Sequence, residues 1–180
     1  MEKLRKMIIP LVVLTAAALL LLGASAALNR PAATNRAREH QRVMALLLPG
    51  STTFSQEAYK GDDTNITAVF RGQNGYVVET TLQGYVDELV LWVGVSDQGS
   101  VTGVTIRDMA ETWRLGRNAM TDLRFLEQFL HTTGNAQLGD NIQALTGATV
   151  TSKEVLRGVN SAAAFVTGAD VSSGATEWGG

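Results

Sequence analysis

The chain of 180 residues contains no cysteine. Disulfides, thiolate metal sites and cysteine-ligated iron–sulfur clusters are therefore excluded within it, and any redox chemistry has to come from an added cofactor. Histidine is nearly as scarce, and His40 and His131 stand too far apart in sequence to suggest metal or haem ligation. There is no excess of basic charge: 15 Lys and Arg stand against 17 Asp and Glu, for a formal net charge of −2. The basic residues are scattered, which leaves no electrostatic footprint for nucleic acid. Nor does the sequence hold a nucleophile–base pair or a proton-abstracting constellation, so no catalytic residue is assigned and no independent turnover is expected.

What is present begins with an apolar run from Met7 to Leu28 that contains no charged residue. Its length suits a single helix crossing a bilayer, and Pro10 lies near its start, where proline costs a helix little. Ala24-Ser25-Ala26 offers a competing reading as a signal-peptide cleavage site, but the run is longer than a signal core and favours an uncleaved anchor. Lys3, Arg5 and Lys6 precede the run, while Arg30, Arg36, Arg38 and Arg42 follow it. Charge alone therefore does not orient it. Residues 1–6 are expected as a short cytoplasmic start, 7–28 as the membrane helix and 29–50 as a connecting segment. Within that segment a helix is expected over 34–48, capped by Thr34 or Asn35 and stopped at Pro49-Gly50. Its basic half suits lipid headgroups or solvent equally. Residues 51–168 are long enough for one core, and 169–180 read as a flexible tail.

The middle of the chain is strand-like. Tyr76-Val77-Val78-Glu79-Thr80 follows an Asn74-Gly75 turn signal, and Leu89 to Val95 form a second apolar run. Ser96-Asp97-Gln98-Gly99 turns the chain into a third strand through Val101, Val104 and Ile106. Consecutive strands with tight connections predict an antiparallel sheet. Amphipathic segments at 121–131 and 152–166 would cover one of its faces, which gives an α+β fold.

The densest local signal is Leu145-Thr146-Gly147-Ala148-Thr149-Val150-Thr151-Ser152. Thr151 and Glu154 have the spacing of a capping box, predicting a helix that starts there and leaves Thr149 just outside its positive end. Val155, Leu156, Val159, Ala162, Ala163 and Val166 give that helix an apolar face until Thr167-Gly168 stops it. Free amides, the helix dipole and Lys153 favour an anion such as phosphate. Gly147 and Ala148 leave the Thr149 hydroxyl open to a bulky partner. Ordinary capping and turn chemistry explains the same string without any ligand.

This segment resembles the flavinylation motif of the FMN-binding domain family: Asp, two residues, Ser or Thr, then Gly-Ala-Thr. The resemblance implies a phosphoester between Thr149 and FMN, installed by a flavin transferase that uses FAD and Mg. The family's acid falls on Gln143 here, which keeps hydrogen-bonding capacity but loses the charge. Asp170 to Thr176 fits the same letters, acid included, yet no helix follows Thr176, so Thr149 is the expected acceptor and Thr176 a decoy. The resemblance extends over about residues 55–166, through Gly84-Tyr85, Val93-Gly94-Val95, Gly99 and Gly103-Val104. It reaches Glu111-Thr112, where relatives continue Pro-Gly-Leu-Gly close to the flavin and this chain reads Trp-Arg-Leu-Gly. Trp113 is placed either to stack on the isoalloxazine ring or to pack on the sheet. The implied cofactor-binding set is thus Thr149 with Leu145, Thr146, Gly147, Ala148, Thr151 and Lys153, together with Glu111 and Thr112, and more distantly Trp113 and Gln143.

One anchor followed by one short flavin domain is similar to the G-subunit family of Rnf-type ion-translocating electron-transport complexes, and to the longer C subunits of sodium-translocating NADH:quinone reductases. That likeness implies a bacterial inner-membrane protein with its flavin domain on the outer side, working beside other membrane, flavin and iron–sulfur subunits. Two alternatives stay open: a structural subunit of the same fold without flavin, and a stand-alone extracytoplasmic FMN carrier.

Overall fold

Runs of β-branched and apolar residues fix the central strands, and each strand turns successive side chains to opposite faces of the sheet. The computed structural model describes residues 35–83, 88–109 and 122–168, together with Thr15, Ala17, Ala18 and Leu20. The chain divides into two units, residues 1–40 and 41–180. In the first, the described residues are helical. The expected membrane helix at 7–28 otherwise lies outside the described residues, and among these no helix is long and apolar enough to cross a membrane.

The second unit is α+β. It opens with helical residues 41–47 (α1), then five antiparallel strands lying side by side in chain order: β1 (Ser55–Glu57), β2 (Ile66–Arg71), β3 (Gly75–Gln83), β4 (Glu88–Ser96) and β5 (Val101–Met109). Among the described residues two helices follow, α2 (Leu123–Glu127) and α3 (Thr149–Thr167). The three strands expected from the sequence are β3, β4 and β5, and their pairing is antiparallel as anticipated. β1 and β2 extend the sheet beyond that expectation. β1 is a short edge strand with all its residues exposed, so it carries no apolar alternation to detect.

Helix α3 lies across β3 and β4. Val155, Leu156, Val159, Ala162 and Ala163 meet Val78, Leu82, Leu89, Leu91 and Val93 in the main core, which Phe125 and Phe129 close from the α2 side. Gly158 sets how near the helix comes. A Cβ there would lie 2.6 Å from Leu82 Cδ1, 2.7 Å from Thr80 Oγ1 and 2.8 Å from Leu91 Cδ1, all on buried side chains.

Cover on one face was expected, but the sheet is buried on both. Leu91, Trp92, Val93 and Val95 are all buried, so β4 presents bulk to each side. On the second side Met44, Leu47 and Leu48 pack against Val77 and Trp92, and Thr102 Oγ1 donates to the Leu47 carbonyl at 2.6 Å. The compact unit therefore includes the end of the segment read as a connector. Next to this cluster the Glu79 carboxylate accepts from Trp92 Nε1 at 2.8 Å and from Arg107 at 2.6 Å.

The amphipathic stretch at 121–131 is α-helical only over Leu123–Glu127, capped by the Asp122 side chain accepting from the Arg124 amide at 3.0 Å. Beyond it the amides of Phe129 and Leu130 bond three residues back, to Leu126 and Glu127. His131 then takes a left-handed φ of 67°. Its amide donates to the Val101 carbonyl and the Val101 amide donates to Thr132. Pairing with β5 draws the chain out of the helix.

Candidate functional site

Helix α3 begins three residues earlier than the capping-box reading predicted, with its N-cap at Ala148 in place of Thr151. Its first residue is Thr149, and Ala148 stands at the N-cap with no side-chain hydrogen bond. Thr151 and Glu154 are inside the helix and buried, so they do not form the box. The reason is packing: the helix turns these two positions toward the protein, leaving Thr149, Val150, Lys153 and Arg157 on the exposed side. Thr149 is accordingly not outside the helix end but in its first turn. Nothing on the N-cap side chain competes for the amides of Thr149, Val150 and Thr151, the donors that an α-helix leaves without an internal partner.

The expected small-residue elbow is a hydrogen-bonded turn. The Ala148 amide donates to the Leu145 carbonyl at 3.0 Å, and Gly147 holds φ at 80°, the value a type II turn requires at its third position. Thr146 and Gly147 are exposed, while Leu145 is partly buried against the main core and Ala148 is buried. Sequence reasoning left the role of Ser152 unassigned. Fully buried, it donates from Oγ to the Ala148 carbonyl at 2.9 Å and accepts from the Leu145 amide at 3.2 Å.

The loop leading into this turn is also held by side chains that sequence reading passed over. Asn160 on α3 donates to the Ala136 carbonyl at 2.9 Å and accepts from the Ala136 amide at 3.1 Å. Asn141 bonds the Gln137 amide and the Asn135 carbonyl. Gln143, at the position of the family's acid, is exposed, and its backbone is gripped by Gln128, which accepts from the Gln143 amide at 2.7 Å and donates to its carbonyl at 3.3 Å. Among such residues only a buried Asn in an apolar helix face offered a signal, because a buried amide needs partners.

Charge at the helix start is mixed. Lys153 lies one turn beyond Thr149 and is exposed. Burial pushes the Glu154 carboxyl above the ordinary carboxylate range, with Arg157 and Lys153 pulling it back. Its Oε2 makes no hydrogen bond, only the ion pair with Arg157 at 3.4 Å.

The structure thus brings together Leu145, Thr146, Gly147, Ala148, Thr149, Thr151 and Lys153, with Gln143 just upstream. Glu111, Thr112, Trp113 and Thr176 lie outside the described residues. A cleft of about 430 Å³ lined by Tyr59, Lys60, Val69 and Phe165 sits at the other end of α3. Phe165 is about 24 Å along the axis from Thr149 at roughly 1.5 Å per residue, too far for this cleft to belong to the same site.

Residues 84–164 match the FMN-binding domain family. Two curated relatives are each 39% identical to this chain over the aligned stretch, and both are G subunits of ferredoxin:NAD(+) oxidoreductase complexes. One, from the Na(+)-translocating complex of Acetobacterium woodii, is similar over 95 residues, 48% of this chain and 46% of the relative. The other, from the proton-translocating complex of Clostridium ljungdahlii, is similar over 99 residues, 51% of this chain and 53% of the relative. The chain spans about half the length of the curated relatives it matches.

Proposed function

We propose that this chain is a membrane-anchored flavoprotein subunit that carries FMN on Thr149 and relays electrons within an Rnf-type ion-translocating complex. The observation that carries this reading is an exposed threonine hydroxyl on the first residue of α3, with no side chain capping the helix, inside the segment that matches the FMN-binding domain family. An uncapped helix start favours a phosphate through its amides and dipole. Lys153, one turn on, adds a full positive charge on the exposed side. Gly147 and Ala148, just before it, carry almost no side chain, leaving room for the phosphate.

Attachment forms one bond from Thr149 Oγ to the FMN-side phosphorus of FAD. The pyrophosphate bond breaks, AMP leaves, and the hydroxyl proton passes to a base on the transferase. The bound flavin supplies the redox chemistry, while this chain supplies placement and electrostatic surroundings. Glu111, Thr112 and Trp113 are the residues assigned to the ring, by the resemblance of their loop. The partners are the other flavin, iron–sulfur and membrane subunits of such a complex, with the flavin transferase in maturation and the lipid of a bacterial inner membrane around residues 7–28. The flavin domain is placed on its outer side.

The test is peptide mass spectrometry across residues 140–160 of natively produced chain, paired with in-gel flavin fluorescence after denaturation. An added FMN on Thr149, lost in Thr149→Ala and kept in Thr176→Ala, is expected. Fluorescence that follows Thr176 instead would move the site to the tail, and unmodified, colourless protein in a conducting complex would sink the proposal.

A further inference from the structure

We propose that Ser152 is a positioning residue for flavin attachment: its buried hydroxyl locks the turn that presents Thr149 to the transferase. This rests on the assignment of Thr149 as acceptor. The Leu145–Ala148 turn has two ends, and Ser152 bonds both. Its Oγ donates to the Ala148 carbonyl at 2.9 Å while accepting from the Leu145 amide at 3.2 Å. The Ser152 amide donates to that same Ala148 carbonyl at 2.9 Å, and the Ala148 amide closes the turn on Leu145 at 3.0 Å. Both backbone polar groups of Leu145 are thereby engaged, and Ala148, which cannot cap the helix itself, is held by the residue four positions on.

A Ser that bonds back to the carbonyl four residues earlier usually does no more than bend a helix slightly. Here the second bond, to Leu145, reaches out of the helix and ties the turn to it. The hydroxyl is fully buried, so water does not replace it when it is removed. Ser152 touches neither the acceptor oxygen nor the incoming phosphate. Its effect passes through the backbone on either side of Gly147, whose left-handed φ leaves this short turn open to rearrangement once its clamp is gone. A group-transfer step is sensitive to such loosening, because a displacement of about 1 Å at the nucleophile lowers rates by roughly 100-fold.

The experiment measures initial rates of flavin attachment to the full chain by a flavin transferase with FAD and Mg, read as covalent FMN per chain by mass spectrometry. Wild type labels on Thr149; if it does not, the functional reading itself fails. With wild type labelled, Ser152→Ala is expected to label at least roughly 10-fold more slowly at saturating chain, with KM for the chain unchanged. Ser152→Thr, which keeps the hydroxyl, recovers most of the rate. Val159→Ala, a cavity in the same helix away from the turn, labels like wild type even where its Tm is as low as that of Ser152→Ala. Equal rates for Ser152→Ala and wild type, a loss confined to KM, no recovery in Ser152→Thr, or a matching loss in Val159→Ala would each overturn the assignment. Amide hydrogen exchange on wild type keeps the test open if Ser152→Ala does not fold: the Leu145 amide is expected to be protected along with those of α3, and free exchange there would also overturn it.

Discussion

At the scale of single residues, the acceptor assignment separates chemistry from stability. Thr149 is exposed, so Thr149→Ala should change unfolding free energy by no more than about 0.5 kcal/mol while removing all covalent flavin, which denaturant titration and in-gel fluorescence measure together. Glu154 gives the opposite kind of prediction. Its carboxyl is raised above the ordinary range by burial, against the pull of Arg157 and Lys153. The folded state therefore holds its proton to higher pH than the unfolded chain. The stability this contributes is complete below the ordinary carboxylate range and is lost as pH rises through the folded value. Glu154→Gln should consequently gain on wild type between about pH 4 and neutrality, and denaturation midpoints that run parallel across that range would refute it. The turn was legible in sequence, because Gly147 among small residues just before a helical pattern marks one, whereas the hydroxyl's role rested on the family resemblance, since ordinary caps and turns use the same letters. The supports were not legible. Asn160 and Gln128 act through bonds to residues that only the fold brings near, and Ser152 adds to its bond within the helix one that reaches back to Leu145 outside it.

At the scale of elements, α3 shows why an N-terminal signature misled. Thr151-Ser-Lys-Glu154 has the letters of a capping box, but Thr151 and Glu154 are buried, and burial demanded that the helix run back to Thr149. Tertiary packing outweighed a cap worth only about 1 kcal/mol. The helix stop at Gly168, by contrast, was plain from sequence and is a left-handed cap donating to the Ala164 carbonyl. The central strands were readable because their apolar runs are long, whereas β1 and β2 are shorter and partly or wholly exposed. The tightest seam between helix and sheet is Gly158. Gly158→Ala would gain up to about 1 kcal/mol of helix propensity but would press on Leu82, Thr80 and Leu91, which have no room to yield. Overpacking of this kind costs about 1–3 kcal/mol, so a net loss of about 1–2 kcal/mol is expected in chemical denaturation, and a stabilised variant would show that the seam is looser than its distances indicate.

At the scale of the whole molecule, the second face of the sheet decides where the folded unit starts. Met44, Leu47 and Leu48 are buried on Val77 and Trp92, and each apolar side chain of that size contributes about 1.5–3 kcal/mol. Their sum rivals the about 5–15 kcal/mol by which a domain is stable at all. A chain beginning at Gln41 should therefore be soluble and unfold cooperatively, while one beginning at Ser51 should aggregate or melt far lower, a contrast that light scattering and thermal melts would settle. From sequence this stretch read as a linker, since its apolar residues sit between an apolar run and a Pro-Gly stop. The docking of α3 carries a consequence in time. Most of a helix's stability in a protein comes from packing its apolar face, and the bonds that shape the turn before Thr149 come from α3 itself. On the proposed attachment at Thr149, a newly made chain would offer no ordered hydroxyl until that helix has settled on the finished sheet, so a covalently coloured molecule would be one already folded, and pigment per polypeptide would count correctly matured copies.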